Sequence, residues 1–101
     1  MTPRPELDSQ LRQAARFFYA LKDPLRLRVL LTLAQGSEKT VTELAQEMWI
    51  SQPLLSWHLA RLRAAGLVRV ERNGREARYS ADLEALERQF AEFRALLAAG
   101  E

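Results

Sequence analysis

Apolar residues fall at Leu7, Leu11, Ala14, Phe18 and Leu21, in steps of four, three, four and three. That spacing lines one face of a helix over residues 6–21. Pro3 and Pro5 predict a frayed segment over 1–5 ahead of it. Asp23-Pro24 reads as an N-cap followed by proline at the first helical position. The second helix it opens carries Leu25, Leu27, Val29, Leu30, Leu31 and Leu33 and stops at Gly36. Apolar nearly all round, it is expected to be the buried central helix. Ser37-Glu38-Lys39 reads as a polar loop, and Thr42 as the cap of a short third helix packing through Leu44, Ala45 and Met48. Ser51 caps a fourth helix over 52–65, with Pro53 in its first turn, an inward stripe of Leu55, Leu59 and Leu62, and Gly66 at its end.

Beyond Gly66 the period changes. Val68, Val70, Ala77 and Tyr79 alternate with charged residues around Asn73-Gly74, a strong hairpin signal. A two-residue Asn73-Gly74 turn would pair Arg72 with Arg75, Val70 with Ala77 and Val68 with Tyr79. A last helix follows Asp82, with Leu83, Leu86, Phe90, Phe93 and Leu97 at heptad-like spacing. Only Trp49 to Ser51 join the third and fourth helices, the length of a helix-turn-helix turn. The fold class expected is mainly α with a small β-hairpin. It is a winged helix-turn-helix in one domain over 1–101, with the helix-turn-helix at 42–65 and the wing at 67–80.

The chain has no cysteine, which removes disulfides, thiolate metal sites and a cysteine nucleophile. No apolar run approaches the roughly 20 residues of a membrane span. The N-terminus lacks the apolar core of a signal peptide. A soluble cytoplasmic protein without a membrane partner is therefore expected. The net charge is only +2, but it is unevenly spread. Residues 51–80 hold six arginines against two acids, and residues 81–101 hold five acids against two arginines. A basic middle between neutral and acidic flanks suits a localised anionic partner. An enzyme lacks parts here: there is one histidine and no glycine-rich phosphate loop.

From Leu21 to Ser80 the chain resembles the ArsR/SmtB family of bacterial repressors. The resemblance is carried by Leu21-Lys22-Asp23-Pro24-Leu25-Arg26-Leu27-Arg28-Val29-Leu30 and Val41-Thr42-Glu43-Leu44-Ala45. It continues through Ser51-Gln52-Pro53-Leu54-Leu55-Ser56-Trp57-His58-Leu59, Leu62-Arg63-Ala64-Ala65-Gly66-Leu67-Val68 and Arg72-Asn73-Gly74-Arg75-Glu76-Ala77-Arg78-Tyr79. It implies a homodimer that binds a near-palindromic operator in double-stranded DNA and releases it when an effector binds. It further implies that the first and last helices, 6–21 and 82–98, form the dimer interface. The candidate dimerisation residues are Leu7, Leu11, Phe18, Leu83, Leu86, Phe90, Phe93 and Leu97. Phe17, Phe18 and Tyr19 are consecutive, so one helix face cannot bury all three.

The family's DNA-contacting positions correspond to Ser51, Gln52, Ser56 and Trp57. Read from the residues themselves, Gln52 offers a donor and an acceptor that match the major-groove edge of adenine. The start of the fourth helix suits a phosphate. Trp57 departs from the polar or basic residue usual in the family. It can pack on a thymine methyl or fold back on protein. Thr42, Pro53, His58 and Arg61 complete the candidate set on the helices, His58 as a structural or phosphate-contacting residue. Arg72, Asn73 and Arg75 supply the wing tip, where two guanidinium groups side by side call for an anion between them. Many relatives sense metals through cysteines at the start of the third helix; Thr40-Val41-Thr42 stands there instead. No metal site, no Cu, Zn, Cd or As sensing and no cofactor are expected, and the effector is left open. The competing reading is a winged-helix module for protein contact, with weak DNA binding.

Overall fold

The computed structural model describes residues 3–99. Its elements are α1 (Pro5–Leu21), α2 (Pro24–Gln35), β1 (Lys39–Thr40), α3 (Val41–Met48), α4 (Gln52–Ala64), β2 (Val68–Asn73), β3 (Glu76–Ala81) and α5 (Leu83–Ala99). The three strands form an antiparallel sheet in the order β1-β3-β2. This is the expected winged helix-turn-helix, with one strand added.

Helix boundaries follow local chemistry. Pro5 does not fray the chain; it opens α1, because a proline in the first turn loses no hydrogen bond. Met1 and Thr2, also expected to fray, lie outside the described residues. Asp23 caps α2 as predicted, accepting from the Leu25 and Arg26 N–H groups at 2.8 and 3.2 Å. Those two bonds, the Arg26 N–H first, hold the Asp23 carboxyl below its ordinary range. The cap of α3 is Thr40 rather than Thr42. The Thr40 hydroxyl accepts from Glu43 N–H at 3.2 Å, and Thr40 N–H donates to Glu43 Oε1 at 2.9 Å, a reciprocal capping box. Lys39 and Thr40 are not loop: they pair with Tyr79 and Arg78. Ser51 caps α4 through Leu54 N–H, and Asp82 caps α5 through Ala85 N–H.

The core is built from Phe17 and Ala20 of α1, Val29, Leu30 and Leu33 of α2, Leu44, Ala45 and Met48 of α3, Leu55, Leu59 and Leu62 of α4, and Leu67 and Val68 at the foot of the wing. α2 is less central than its composition suggests: Leu27 and Leu31 are exposed, and Arg26 is buried in their place. The buried stripe of α2 is Arg26, Val29, Leu30 and Leu33, an i, i+3, i+4, i+7 set.

The hairpin register also differs from expectation. Asn73 pairs with Glu76, Arg72 with Ala77, Val70 with Tyr79 and Val68 with Ala81. The turn is therefore centred on Gly74-Arg75. Only Gly74 has positive φ, at 66°, the pattern of a type II′ turn. Arg72 and Arg75 are not cross-strand partners, so the predicted guanidinium clash at the tip is absent.

Candidate nucleic-acid interface

The helix-turn-helix is α3, the turn Trp49 to Ser51, and α4. The buried face of α4 is Leu55, His58, Leu59 and Leu62. That leaves Gln52, Pro53, Ser56, Trp57 and Arg61 exposed along the opposite side. Gln52 does not hang free: its Nε2 donates to the Thr42 hydroxyl at 3.2 Å. The bond ties the start of α3 to the start of α4 and holds the amide with Oε1 and a second N–H still available. Ser51 spends its hydroxyl on the cap.

His58 is displaced from the contact set. It is 4% exposed, and its Nδ1 has no hydrogen-bond partner among the described residues. Its place one turn from Leu55 and Leu62 puts it on the core stripe, out of reach of a phosphate. Trp57 is half exposed and has charge on its ring. Arg61 lies 4.9 Å and Arg26 5.5 Å from its centroid, and His58 meets it edge-on at 5.0 Å. Such cation–π contacts are worth about 0.5–2 kcal/mol each. They hold the indole against the helix rather than loose in solvent.

The wing flanks the same helix. Ser56, Ala60 and Arg63 of α4 and Tyr79 of β3 line one groove of about 410 Å³. At the wing tip Arg72, Asn73 and Arg75 are all exposed, and neither arginine forms an ion pair among the described residues. Lower on the wing, Arg78 is neutralised by Glu76 at 2.6 Å and Glu43 at 3.8 Å, and Arg69 by Asp82 at 3.9 Å. Free positive charge is thus concentrated at the tip. The Glu43 carboxyl is held below its ordinary range chiefly by the Thr40 N–H, then by the Thr40 hydroxyl and the nearby cations.

Far from this face, Phe17, Phe18, Phe90 and Phe93 lock α1 to α5 edge-to-face, with Phe17–Phe90 centroids 5.0 Å and Phe18–Phe93 centroids 4.9 Å apart. Leu7, Leu86 and Phe93 are partly covered by their own chain, and Leu86 packs on the core. Leu11, Phe18, Leu83, Phe90 and Leu97 stay exposed, Leu97 by 62%. Of the three consecutive aromatics, Phe17 is buried while Phe18 and Tyr19 face outward.

The family model for "Bacterial regulatory protein, arsR family" matches residues 23–70. The homodimeric winged helix-turn-helix DNA-binding domain of a possible ArsR-family regulator from Mycobacterium bovis superposes with a TM-score of 0.77 at 30% identity, over 97% of this chain and 90% of that one. The chain belongs to the ArsR family. Among curated ArsR-type relatives, the "Probable mercury resistance operon repressor" of Streptomyces lividans is 46% identical over 66 residues, covering 65% of this chain and 52% of the relative. The "HTH-type transcriptional repressor SmtB" of Mycobacterium tuberculosis is 40% identical over 77 residues, 76% of this chain and 56% of the relative. The chain spans about half the length of these curated relatives. The ArsR family is one of transcriptional regulators, and no helix of the described residues is long and apolar enough to cross a membrane. No three His, Cys, Asp or Glu side chains converge as a metal site among the described residues.

Two features escaped the reading of the sequence. Arg26 is buried, and its i, i+3, i+4, i+7 relation to Val29, Leu30 and Leu33 was the available signal. Trp49, in the turn, is 91% exposed with φ 60° and ψ 43°, the left-handed region that a bulky residue rarely enters. The turn length alone did not reveal it.

Proposed function

We propose that two copies of this chain pair through α1 and α5, and that the dimer is a sequence-specific repressor at a near-palindromic operator in double-stranded DNA. The observation that carries the reading is one surface: the exposed start of α4 beside a wing tip where Arg72 and Arg75 are exposed and form no ion pair among the described residues. Gln52 and Ser56 read base edges in the major groove, and Thr42 acts by holding Gln52. Pro53 and the Ser51-capped helix start approach the backbone, Arg61 anchors a phosphate, and Arg72, Asn73 and Arg75 enter the minor groove. Half-sites lie about one helical turn apart, roughly 34–36 Å. The exposed apolar row Leu11, Phe18, Leu83, Phe90 and Leu97, with Leu7, Leu86 and Phe93 beneath it, is the face that the second copy covers. The molecule is a regulator in the cytoplasm rather than an enzyme. With no cysteine in the sequence, its effector is not read through thiolates.

The test is fluorescence anisotropy with a duplex from upstream of its own reading frame, against a scrambled duplex, over a salt series. With 6–10 phosphate contacts the affinity falls about 10³–10⁵-fold between 50 and 200 mM salt. Replacing both Arg72 and Arg75 by alanine removes most of the tight binding. Weak and equal binding to both duplexes would favour a protein-contact module and sink the repressor reading. Sedimentation of Phe90→Ser with Phe93→Ser checks the interface; an undiminished dimer would refute it.

A further inference from the structure

Between α1 and the C-terminal half of α4 lies a cavity of about 350 Å³, lined by Ala15, Arg16, Tyr19, Arg26, Arg61 and Ala64 among others. It is within the size range of small-molecule sites. Its walls are methyl groups and one phenol ring, interrupted only by three arginines. Most of it is turned away from the proposed dimer face: at about 100° per residue, Tyr19 and Arg16 lie roughly 100° and 160° round α1 from the row of Leu7, Leu11 and Phe18, while Ala15, four residues after Leu11, borders that row.

Arg26 makes this cavity unusual. The residue is 3% exposed, and its Nε and Nη1 have no hydrogen-bond partner among the described residues. Its Nη2 reaches Asp23 only at 3.8 Å. A buried guanidinium ordinarily uses its fork of donors on a carboxylate or phosphate. Here the fork is left to two aromatic faces, with Tyr19 and Trp57 each 5.5 Å from Cζ.

We propose that this cavity binds a small organic carboxylate with an aryl or short alkyl body, and that its occupancy resets Trp57. Arg26 takes the carboxylate, Arg16 and Arg61 frame the mouth, and the alanine methyls and Tyr19 hold the apolar body. A monoanion suits one buried guanidinium, and apolar walls disfavour inorganic phosphate. A guanidinium drawn onto a carboxylate leaves the Trp57 face. Arg61 holds the other contact to that indole at 4.9 Å, and it lines the same cavity. Ligand and DNA thereby compete for the arrangement of one side chain on the exposed face of α4. This second half rests on the repressor reading above.

The experiment uses the full chain with Trp49→Phe, which leaves Trp57 as the sole tryptophan. 3-Phenylpropionate is titrated by tryptophan emission and by calorimetry, beside 3-phenylpropanol and inorganic phosphate. Saturable binding of the acid alone, at millimolar affinity or better, with a change in Trp57 emission, is expected. Arg16→Gln weakens it roughly tenfold or more. Arg26→Gln abolishes it if that variant keeps its circular dichroism. Ala64→Phe, which fills the cavity and keeps every charge, abolishes it whether or not Arg26→Gln folds. No saturable heat, equal binding of phosphate, or binding that survives Ala64→Phe overturns the site. A hexapeptide ending in phenylalanine that outcompetes the acid overturns the small-molecule assignment. DNA affinity is then read with and without the acid. A several-fold shift supports the coupling, and bound acid with unchanged DNA affinity overturns it. If the free protein binds no DNA, the repressor reading has failed and calorimetry alone decides the cavity.

Discussion

α3 and α4 end in the same way and with opposite residues. At the end of α4, Gly66 N–H donates to Arg63 C=O and Leu67 N–H to Leu62 C=O, both at 2.9 Å, with Gly66 at φ 76°. At the end of α3, Trp49 N–H donates to Gln46 C=O at 3.4 Å and Ile50 N–H to Ala45 C=O at 3.2 Å, with Trp49 at φ 60°. Both are Schellman motifs, which demand a left-handed residue. One uses the residue that enters that region freely; the other forces an indole into it at about 1–2 kcal/mol. The bonds are also shorter where glycine sits. The indole is almost wholly in solvent, so no packing within this chain offsets the strain. Local backbone preference accounts for the residue at the end of α4, and nothing among the described contacts accounts for the one at the end of α3.

The contrast can be taken apart by substitution. Leu62, beneath the α4 motif, is fully buried, whereas its counterpart beneath the α3 motif is already Ala45. Leu62→Ala is expected to cost about 2–5 kcal/mol in urea unfolding. A loss under 1 kcal/mol would mean the two ends are packed alike. Gly66→Ala comes next, at about 1–2 kcal/mol. A Cβ there meets only Gln89 Nε2, at 3.8 Å, so this loss measures backbone strain without a clash. Trp49→Gly is expected to stabilise by up to about 1 kcal/mol, the reverse sign. A destabilised Trp49→Gly would show that the indole packs after all.

The smallest effect lies at the other end of α3. The Glu43 carboxyl is depressed below its ordinary 4.5 by the Thr40 bonds. Its contribution is therefore complete above that value and is lost as pH falls through the lower folded-state value. Glu43→Gln keeps an acceptor for Thr40 N–H and cannot titrate in this range. The stability of this variant should fall less steeply than that of the parent below pH 4.5. Identical acid slopes would refute the linkage.

Some of this was readable from residues alone. Asp23-Pro24, Ser51 with Pro53, and Asp82 announced three helix starts through chemistry confined to a few neighbours. The α4 leucine stripe and the α1 and α5 stripes came from period. What was missed needed information from farther away. The hairpin slipped because moving a strand by two residues keeps every side chain on its face, so alternation cannot choose between registers. β1 has only two residues and exists because β3 pairs with it. Thr42 looked like a cap because Thr40 and Thr42 are chemically alike, and only Glu43, three residues after Thr40, separates them. His58 and Arg26 are polar residues on core stripes, where the identity of the side chain argued against its position.

Thr40 belongs to two elements at once. It closes β1, opposite Arg78 of β3, and it caps α3. No linker therefore separates the wing from the helix-turn-helix, and the two readers travel as one block. Within one copy their spacing is settled when the chain folds. In the proposed dimer, the rotational phase between two such blocks around the duplex is set separately, where α1 and α5 meet. In the dimer proposed above, a ligand that turned Trp57 would act inside one block, whereas a change at α1 and α5 would alter the phase between the two blocks and move both wings and both recognition helices together.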